Sequence, residues 1–339
     1  MIKTVKAAQS LINGRDDIIC PLGTYLLKLK QIINSELMNF LSKFSAMTLS
    51  PLIKYSMLSG GKRLRGALVI LSAKSVGGEQ RKVLNLALAI ELVHGASLIL
   101  DDIIDEDETR RGLQVLHNKW SKNDAILTAG AMTSLAMKLT AEYGTEIVKL
   151  ISQSIMYLCE GEHMDISLSL RSTDEETYFS TIRKKSASLF ETACRCGSLV
   201  CDGSPIEVES LSLFGENFGI AYQLKDDLLD LKLLNGSIPK DLKNGRITLP
   251  LIHFYHNNNK NKKMLEYMLS ALSKNNSIAE NDVDDVAKRL LHYLEAEGSF
   301  EYCERKINYY VHEAIKRLQP VKETKFKKYL IQMAKSLIC

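Results

Sequence analysis

The chain of 339 residues is 45% hydrophobic and 25% charged, with a formal net charge of +4 and its basic residues dispersed. These values are ordinary for a globular protein and leave no electrostatic footprint for nucleic acid. Only six prolines occur, none between Pro51 and Pro205, so long helices can run without a breaker.

The opening stretch "MIKTVKAAQSLINGR" is faintly basic and amphipathic and has no secretory h-region. No apolar run is expected to reach transmembrane length, and a cytoplasmic location is expected. Apolar residues at helical spacing then run from Leu26 to Phe44. A turn at "TLSP" and a short helix to Leu58 lead into the basic turn "SGGKRLRG". "ALVILSAKSVGG" follows, stopped by a glycine pair suited to a C-cap. Periodicity predicts helices over 79–105, 121–143, 145–170, 174–201 and 205–234. "NGSIPKDLKNGRITLP" reads as a polar loop, 256–263 ("HNNNKNKK") as a polar surface connector, and the remainder to Leu337 as amphipathic helices. Strand-like alternation is nowhere sustained. The expectation is all-α, one domain spanning 1–339. Cys20, Cys159, Cys194, Cys196, Cys201, Cys303 and Cys339 fit no zinc spacing and read as buried free thiols in a reducing compartment.

Chemistry concentrates where the helix over 79–105 ends. "ASLILDDIIDEDETRRG" (96–112) passes from an uncharged run into Asp101, Asp102, Asp105, Glu106, Asp107 and Glu108, then reverses sign at Arg110 and Arg111. Downstream, "FGENFGIAYQLKDDLLDLK" repeats the i, i+1, i+4 spacing at Asp226, Asp227 and Asp230. On a helix the first and last of each triplet stack on one face, with the middle one turned by about 100°. Carboxylates at a helix C-terminus oppose both the dipole and one another, so each triplet asks for a cation. Hard oxygens suit Mg²⁺, which keeps room for water and substrate phosphates. A single triplet would read as a solvated helix end; two copies with identical spacing point to metal–phosphate binding.

Cations accompany these acids. Gly60 and Gly61 let the backbone approach an anion, and Lys62 and Arg65 supply charge and forked donors. His94 lies two helical turns before Asp101 on one face; alone it would read as a core histidine. Arg110 and Arg111, being adjacent, point in different directions and suit two different phosphates. "RKKSASLF" adds Lys185, and "PKDLKNGR" adds Lys240 and Arg246.

Taken together, these motifs resemble the trans-prenyltransferase, or isoprenyl diphosphate synthase, family. The resemblance runs from "GGKRLRG" through "HGASLILDDIIDEDETRRG" and "KKSASLFETACRCGSLV" to "FGIAYQLKDDLLD" and "DLKNGRITLPLI". It implies a single-domain bundle of long helices around a deep central apolar cavity, usually homodimeric. It implies that Asp101, Asp102, Asp105, Asp226, Asp227 and Asp230 bind several Mg²⁺ ions, with Mn²⁺ the alternative, on an allylic diphosphate. By the same resemblance Arg110 and Lys185 hold that diphosphate, with Ser186 keeping the hydroxyl of a family threonine. Lys62, Arg65, His94 and Arg111 would hold isopentenyl diphosphate, and Gln223 would lie near the reacting centre. The chain departs from the family at Gly66 (often proline), Leu100 (often histidine), Ala131 (often aspartate) and Arg246 (lysine). Ser237 stands where the family has a lysine, leaving Lys240 as the stand-in.

The residues before the first triplet line the product tunnel in this family. Ala96 and Ser97 offer no aromatic floor, and Val93 lies one turn deeper, about 5.4 Å further along the helix. An all-trans product of twenty carbons or more is expected, with geranylgeranyl or farnesyl diphosphate synthase as the alternative activity. Met132, Met137 and Met156 on facing helices are candidates to close the tunnel. Two further readings are a type I terpene cyclase, which normally lacks a second aspartate triplet, and a non-catalytic regulatory subunit, which commonly loses one.

Overall fold

The computed structural model describes residues 21–232, 242, 245–257, 259–272 and 280–339. Cys20, Ser237 and Lys240 therefore lie outside the described residues. The chain divides into two compact units. The first takes 1–156, 189–215 and 315–336, and the second takes 157–188, 216–314 and 337–339.

In the first unit, α1 (Pro21–Ser42) and α2 (Ser50–Leu58) precede α3 (Leu64–Ser75) and α4 (Gln80–Ile104). Pro51 sits in the first turn of α2, where its missing N–H costs nothing. The run Leu68–Leu71 of α3 is fully buried, and so is most of α4 from Leu86 to Val93. Gly197 of α9 (Ser188–Leu199) packs against the Val69 carbonyl, where a β-carbon would stand 2.3 Å from the oxygen. α4 is long and apolar enough to cross a membrane by length and composition, which corrects the expectation that no run would be. However, 67% of its apolar window is buried inside the protein, as in a core helix.

After α4 comes a small element absent from the helical reading. β1 (Thr109–Arg110) and β2 (Leu113–Gln114) form an antiparallel hairpin, Thr109 opposite Gln114 and Arg110 opposite Leu113. Arg111 (φ 54°) and Gly112 (φ 83°) form its two-residue turn; two left-handed residues match the strand twist. The Tyr55 hydroxyl donates to the Gln114 carbonyl at 2.8 Å, tying the hairpin to α2. A single turn, α5 (Leu116–Lys119), precedes α6 (Lys122–Thr140), capped by Ser121, whose hydroxyl accepts the Asp124 N–H. α7 (Thr145–Ser167) begins in this unit and ends in the second.

In the second unit, the helix expected over 174–201 is interrupted. α8 (Glu175–Ile182), capped by Asp174, runs into a π-helical turn, Arg183–Ala187, before α9 resumes in the first unit. α10 (Pro205–Lys232) starts in the first unit with a capping box, Ser204 and Glu207 each accepting the other's N–H. Its C-terminal half buries Leu224, Leu228 and Leu231 in the second unit. The helices α11 (Leu249–Asn257), α12 (Asn259–Leu272), α13 (Glu280–Ala296) and α14 (Ser299–Arg317) follow, and α15 (Lys325–Lys335) returns to pack on α3. Within the polar stretch expected as a connector, 256–257 end α11 and 259–263 open α12, so its described residues are helical. Of the described cysteines, Cys194, Cys196, Cys201 and Cys303 are buried free thiols, while Cys159 and Cys339 are exposed. Burial pushes Cys194 and Cys196 up to about 12, so they are inert hydrophobes rather than nucleophiles.

Candidate active site

α4 presents its triplet as the spacing requires. Asp101 and Asp105 lie on the half-buried face and Asp102 turns inward, 6% exposed. The hairpin folds Arg110 back over them: its Nε donates to Asp102 Oδ1 at 2.5 Å, and its Nη2 lies 3.2 Å from Asp101 Oδ2 and 3.6 Å from Asp107 Oδ2. Burial lifts the Asp102 carboxyl to about 6 despite the arginine beside it. Arg111 departs in the other direction and donates from Nη1 to the Gly60 carbonyl at 2.5 Å. The two arginines do diverge, and the two-residue turn is the reason.

Gly60 (φ 101°) and Gly61 (φ 126°) occupy backbone regions closed to other residues, and a β-carbon on Gly61 would meet Arg111 Nη1 at 2.9 Å. Lys62 and Arg65 are partly buried at this turn. Arg65 Nη1 lies 3.0 Å from His94 Nε2, and its guanidinium stacks 4.1 Å from the Phe190 ring centroid. Burial first, then Arg65, Arg111, Arg110 and Arg63, hold His94 well below its ordinary range. It is therefore neutral at pH 7, and Nε2 accepts from Arg65.

That depression has a measurable consequence. Below about pH 6.5 the unfolded histidine takes a proton that the folded one refuses, so stability falls as pH drops. The buried carboxyls with raised values act in the opposite sense, so the comparison must be with a variant. His94→Gln should show a shallower loss of melting temperature between pH 7 and pH 5 than the unaltered chain. Equal slopes would show that His94 titrates normally.

α10 repeats the arrangement of α4. Asp226 is exposed, Asp230 is half-buried one turn on, and the middle residue, Asp227, turns inward. Tyr178 donates to Asp227 Oδ2 and Gln223 Nε2 to Asp227 Oδ1, both at 2.6 Å, while Ser186 donates to Gln223 Oε1 at 2.6 Å. Burial raises Asp227 to about 6 although both hydrogen bonds favour its charged form. Burial and Asp227 hold the Tyr178 hydroxyl well above its usual range, so it stays a donor.

Lys185 lies in the π-helical turn, its Nζ 2.6 Å from Asp165 Oδ2 and 2.9 Å from Glu162 Oε2 of α7. Arg246 reaches the same Asp165 oxygen at 3.8 Å. Gly161 admits this approach, since a β-carbon there would stand 2.2 Å from the Lys185 nitrogen. Before Asp101, Val93 and Ala96 are buried and Ser97 half-buried. Gly95 meets Met132 and Met57, a β-carbon coming within 2.6 Å of Met132 Cε. Of the three methionines considered as plugs, Met132 is fully buried, Met137 is intermediate and Met156 is 64% exposed.

Sequence reasoning missed Asp107 as a partner of Arg110, Tyr178 as the clamp on Asp227, and Glu162 and Asp165 as the seat of Lys185. The last two had a signal: an i, i+3 acid pair in "EGEHMD". Tyr178 had none, because nothing in one dimension joins it to Asp227.

Among the described residues no three His, Cys, Asp or Glu side chains form a ready cation cage. Mg²⁺ bound by one or two carboxylates, with water and phosphate completing its shell, needs none. The first triplet fits such an ion by its donor chemistry, and the Arg110 guanidinium already stands among its carboxylates as a cation.

The sequence profile of the polyprenyl synthetase family matches residues 46–288. Geranylgeranyl diphosphate synthase of Methanosarcina mazei is 31% identical over 296 residues, covering 84% of this chain and 87% of that protein. Octaprenyl diphosphate synthase of Escherichia coli is 28% identical over 287 residues, covering 83% and 86%. Among solved structures, geranylgeranyl pyrophosphate synthetase from Pyrococcus horikoshii Ot3 superposes with a TM-score of 0.83 at 27% identity, over 94% of this chain and 98% of that one.

Proposed function

The chain belongs to the polyprenyl synthetase family, and on that premise we propose that it condenses isopentenyl diphosphate with an allylic diphosphate to an all-trans product of twenty carbons or more. It is a prenyltransferase of all-α fold. The observation that carries the reading is the pair of aspartate triplets, each with its first and last carboxylates on the more open face and its middle one buried.

Asp101, Asp102, Asp105, Asp226, Asp227 and Asp230 would hold Mg²⁺, which when bound neutralises charge building on the departing diphosphate. Lys185 and Arg110, each held by carboxylates in this structure, would exchange those partners for allylic diphosphate oxygens. Lys62, Arg65 and Arg111 would bind isopentenyl diphosphate, with neutral His94 fixing the Arg65 fork. Ser186 and Tyr178 orient Gln223 and Asp227. No protein nucleophile is needed: the allylic C–O bond breaks with release of diphosphate, the isopentenyl double bond attacks the allylic cation, and the resulting cation loses a proton to the released diphosphate. The apolar side chains of α4 exclude the water that would quench that cation.

By the same family resemblance the enzyme would act as a homodimer. We also propose that residues 1–339 act as a single synthase domain, in the cytoplasm.

Incubation with labelled isopentenyl diphosphate, Mg²⁺ and each allylic primer, followed by chromatography of the dephosphorylated products, tests the reading. Chains of twenty carbons or more are expected, and hydrocarbon released from farnesyl diphosphate alone would indicate a cyclase instead. Under the same assay Ala96→Phe should shorten the product, because the ring would project from a buried position of α4. An unchanged product distribution would remove Ala96 from the tunnel wall.

A further inference from the structure

Three cations crowd the turn "GGKRLRG", but they do different things. Arg63, at φ 54°, is a non-glycine residue in the left-handed region, a conformation that only surrounding contacts can hold. Its guanidinium is buried: Nε donates to Asn34 Oδ1 at 2.8 Å, Nη2 to the Met57 carbonyl, and Nη1 reaches Glu91 Oε2 at 3.4 Å. Glu91 is 2% exposed, on the buried stretch of α4. Its other oxygen, Oε1, accepts the Gly66 N–H at 2.8 Å.

Gly66 is the third residue of α3, whose N-terminus has no side-chain cap of its own. An unsatisfied N–H of a helix start is thus capped by a carboxylate from a neighbouring helix, with the helix dipole in the favourable sense. A proline at this position could not donate this bond. The site is also tight, since a β-carbon on Gly66 would stand 3.1 Å from Glu91 Cγ and 3.0 Å from Ile33 Cδ1. One helical turn after Glu91, His94 meets Arg65. Two neighbouring positions of α4 therefore hold the turn at both of its ends.

We propose that Glu91 is the positioning residue of the isopentenyl diphosphate site: through Arg63 and the Gly66 N–H it fixes the turn that aims Lys62 and Arg65. This rests on the reading that Lys62 and Arg65 bind that substrate. Arg63 then contributes no charge to the ligand, because Glu91 neutralises it.

Three enzymes tested beside the unaltered chain separate the possibilities. Glu91→Gln keeps an acceptor for Gly66 and removes the charge facing Arg63. The double variant Arg63→Met with Glu91→Gln leaves no unpaired buried charge, so it folds even if the single variant does not. Lys62→Ala reports on the underlying site. The expected result is a KM for isopentenyl diphosphate raised about tenfold in the single and double variants, with kcat and the allylic KM within about twofold. The double variant should recover melting temperature without recovering that KM, which a merely structural role would not produce. A KM that follows melting temperature back to the unaltered value, or a fall in kcat alone, overturns the proposal. If Lys62→Ala raises the KM and the Glu91 variants do not, the positioning role fails alone; if none moves it, the substrate reading fails.

Discussion

Asp101→Ala is expected to lower kcat by roughly 10³-fold, equivalent to about 4 kcal/mol of lost transition-state stabilisation, while the protein stays folded. Asp101 lies on the half-buried face at the end of α4 and shares Arg110 with Asp102 and Asp107. Deleting it leaves that arginine two acidic partners, so no cation is stranded and little stability is at stake. The catalytic cost is different in kind, because one of the oxygens that would hold the divalent ion is gone. Asp102→Ala should behave differently: the carboxylate is buried against Arg110, and its loss should reduce melting temperature as well as turnover. Circular dichroism melts beside steady-state rates distinguish the two. Unaltered turnover in Asp101→Ala would remove the metal assignment from the first triplet.

Gly161→Ala should be nearly as damaging by another route. The added methyl would stand 2.2 Å from the Lys185 nitrogen, 2.6 Å from its Cα and 2.8 Å from the Lys184 carbonyl carbon. All three are backbone atoms, so no rotamer change relieves the overlap. Either α7 or the π-helical turn must shift, at a cost of roughly 3 kcal/mol. Because that turn aims Lys185 at its acidic seat, the shift also displaces the side chain proposed to hold the allylic diphosphate. A displacement of about 1 Å can cost on the order of 10² in rate. The expected signature is a lower melting temperature with a raised KM for the allylic primer. Wild-type melting and kinetics would show that α7 and the turn are loosely packed.

The helices were legible because periodicity is a local signal. α4 was expected over 79–105 and spans Gln80–Ile104, and α10 was expected over 205–234 and is described to Lys232. The aspartate triplets were legible for the same reason, since spacing alone puts Asp101 with Asp105 and turns Asp102 aside. What escaped depends on partners distant in sequence. Nothing local in the sequence marks Arg63, between Lys62 and Arg65, as the partner of Glu91, because a buried ion pair looks like two surface charges in one dimension. The π-helical turn escaped because the backbone it packs against, at Gly161, lies on another helix. The hairpin escaped because two-residue strands carry no alternation; its signal was the Arg111–Gly112 pair, read only for charge.

The claim at the centre is that both aspartate triplets act on one ionisation step. The most direct measurement is the rate of diphosphate release from allylic diphosphate plus isopentenyl diphosphate, followed across a Mg²⁺ titration. It should be made on the unaltered chain, Asp101→Asn, Asp226→Asn and the double variant. Two triplets serving one step predict that each single variant loses most of the rate and shifts the Mg²⁺ midpoint upward. The double variant should then fall little below the worse single. Losses that simply multiply, or an Asp226→Asn enzyme as fast as the unaltered chain, would contradict it.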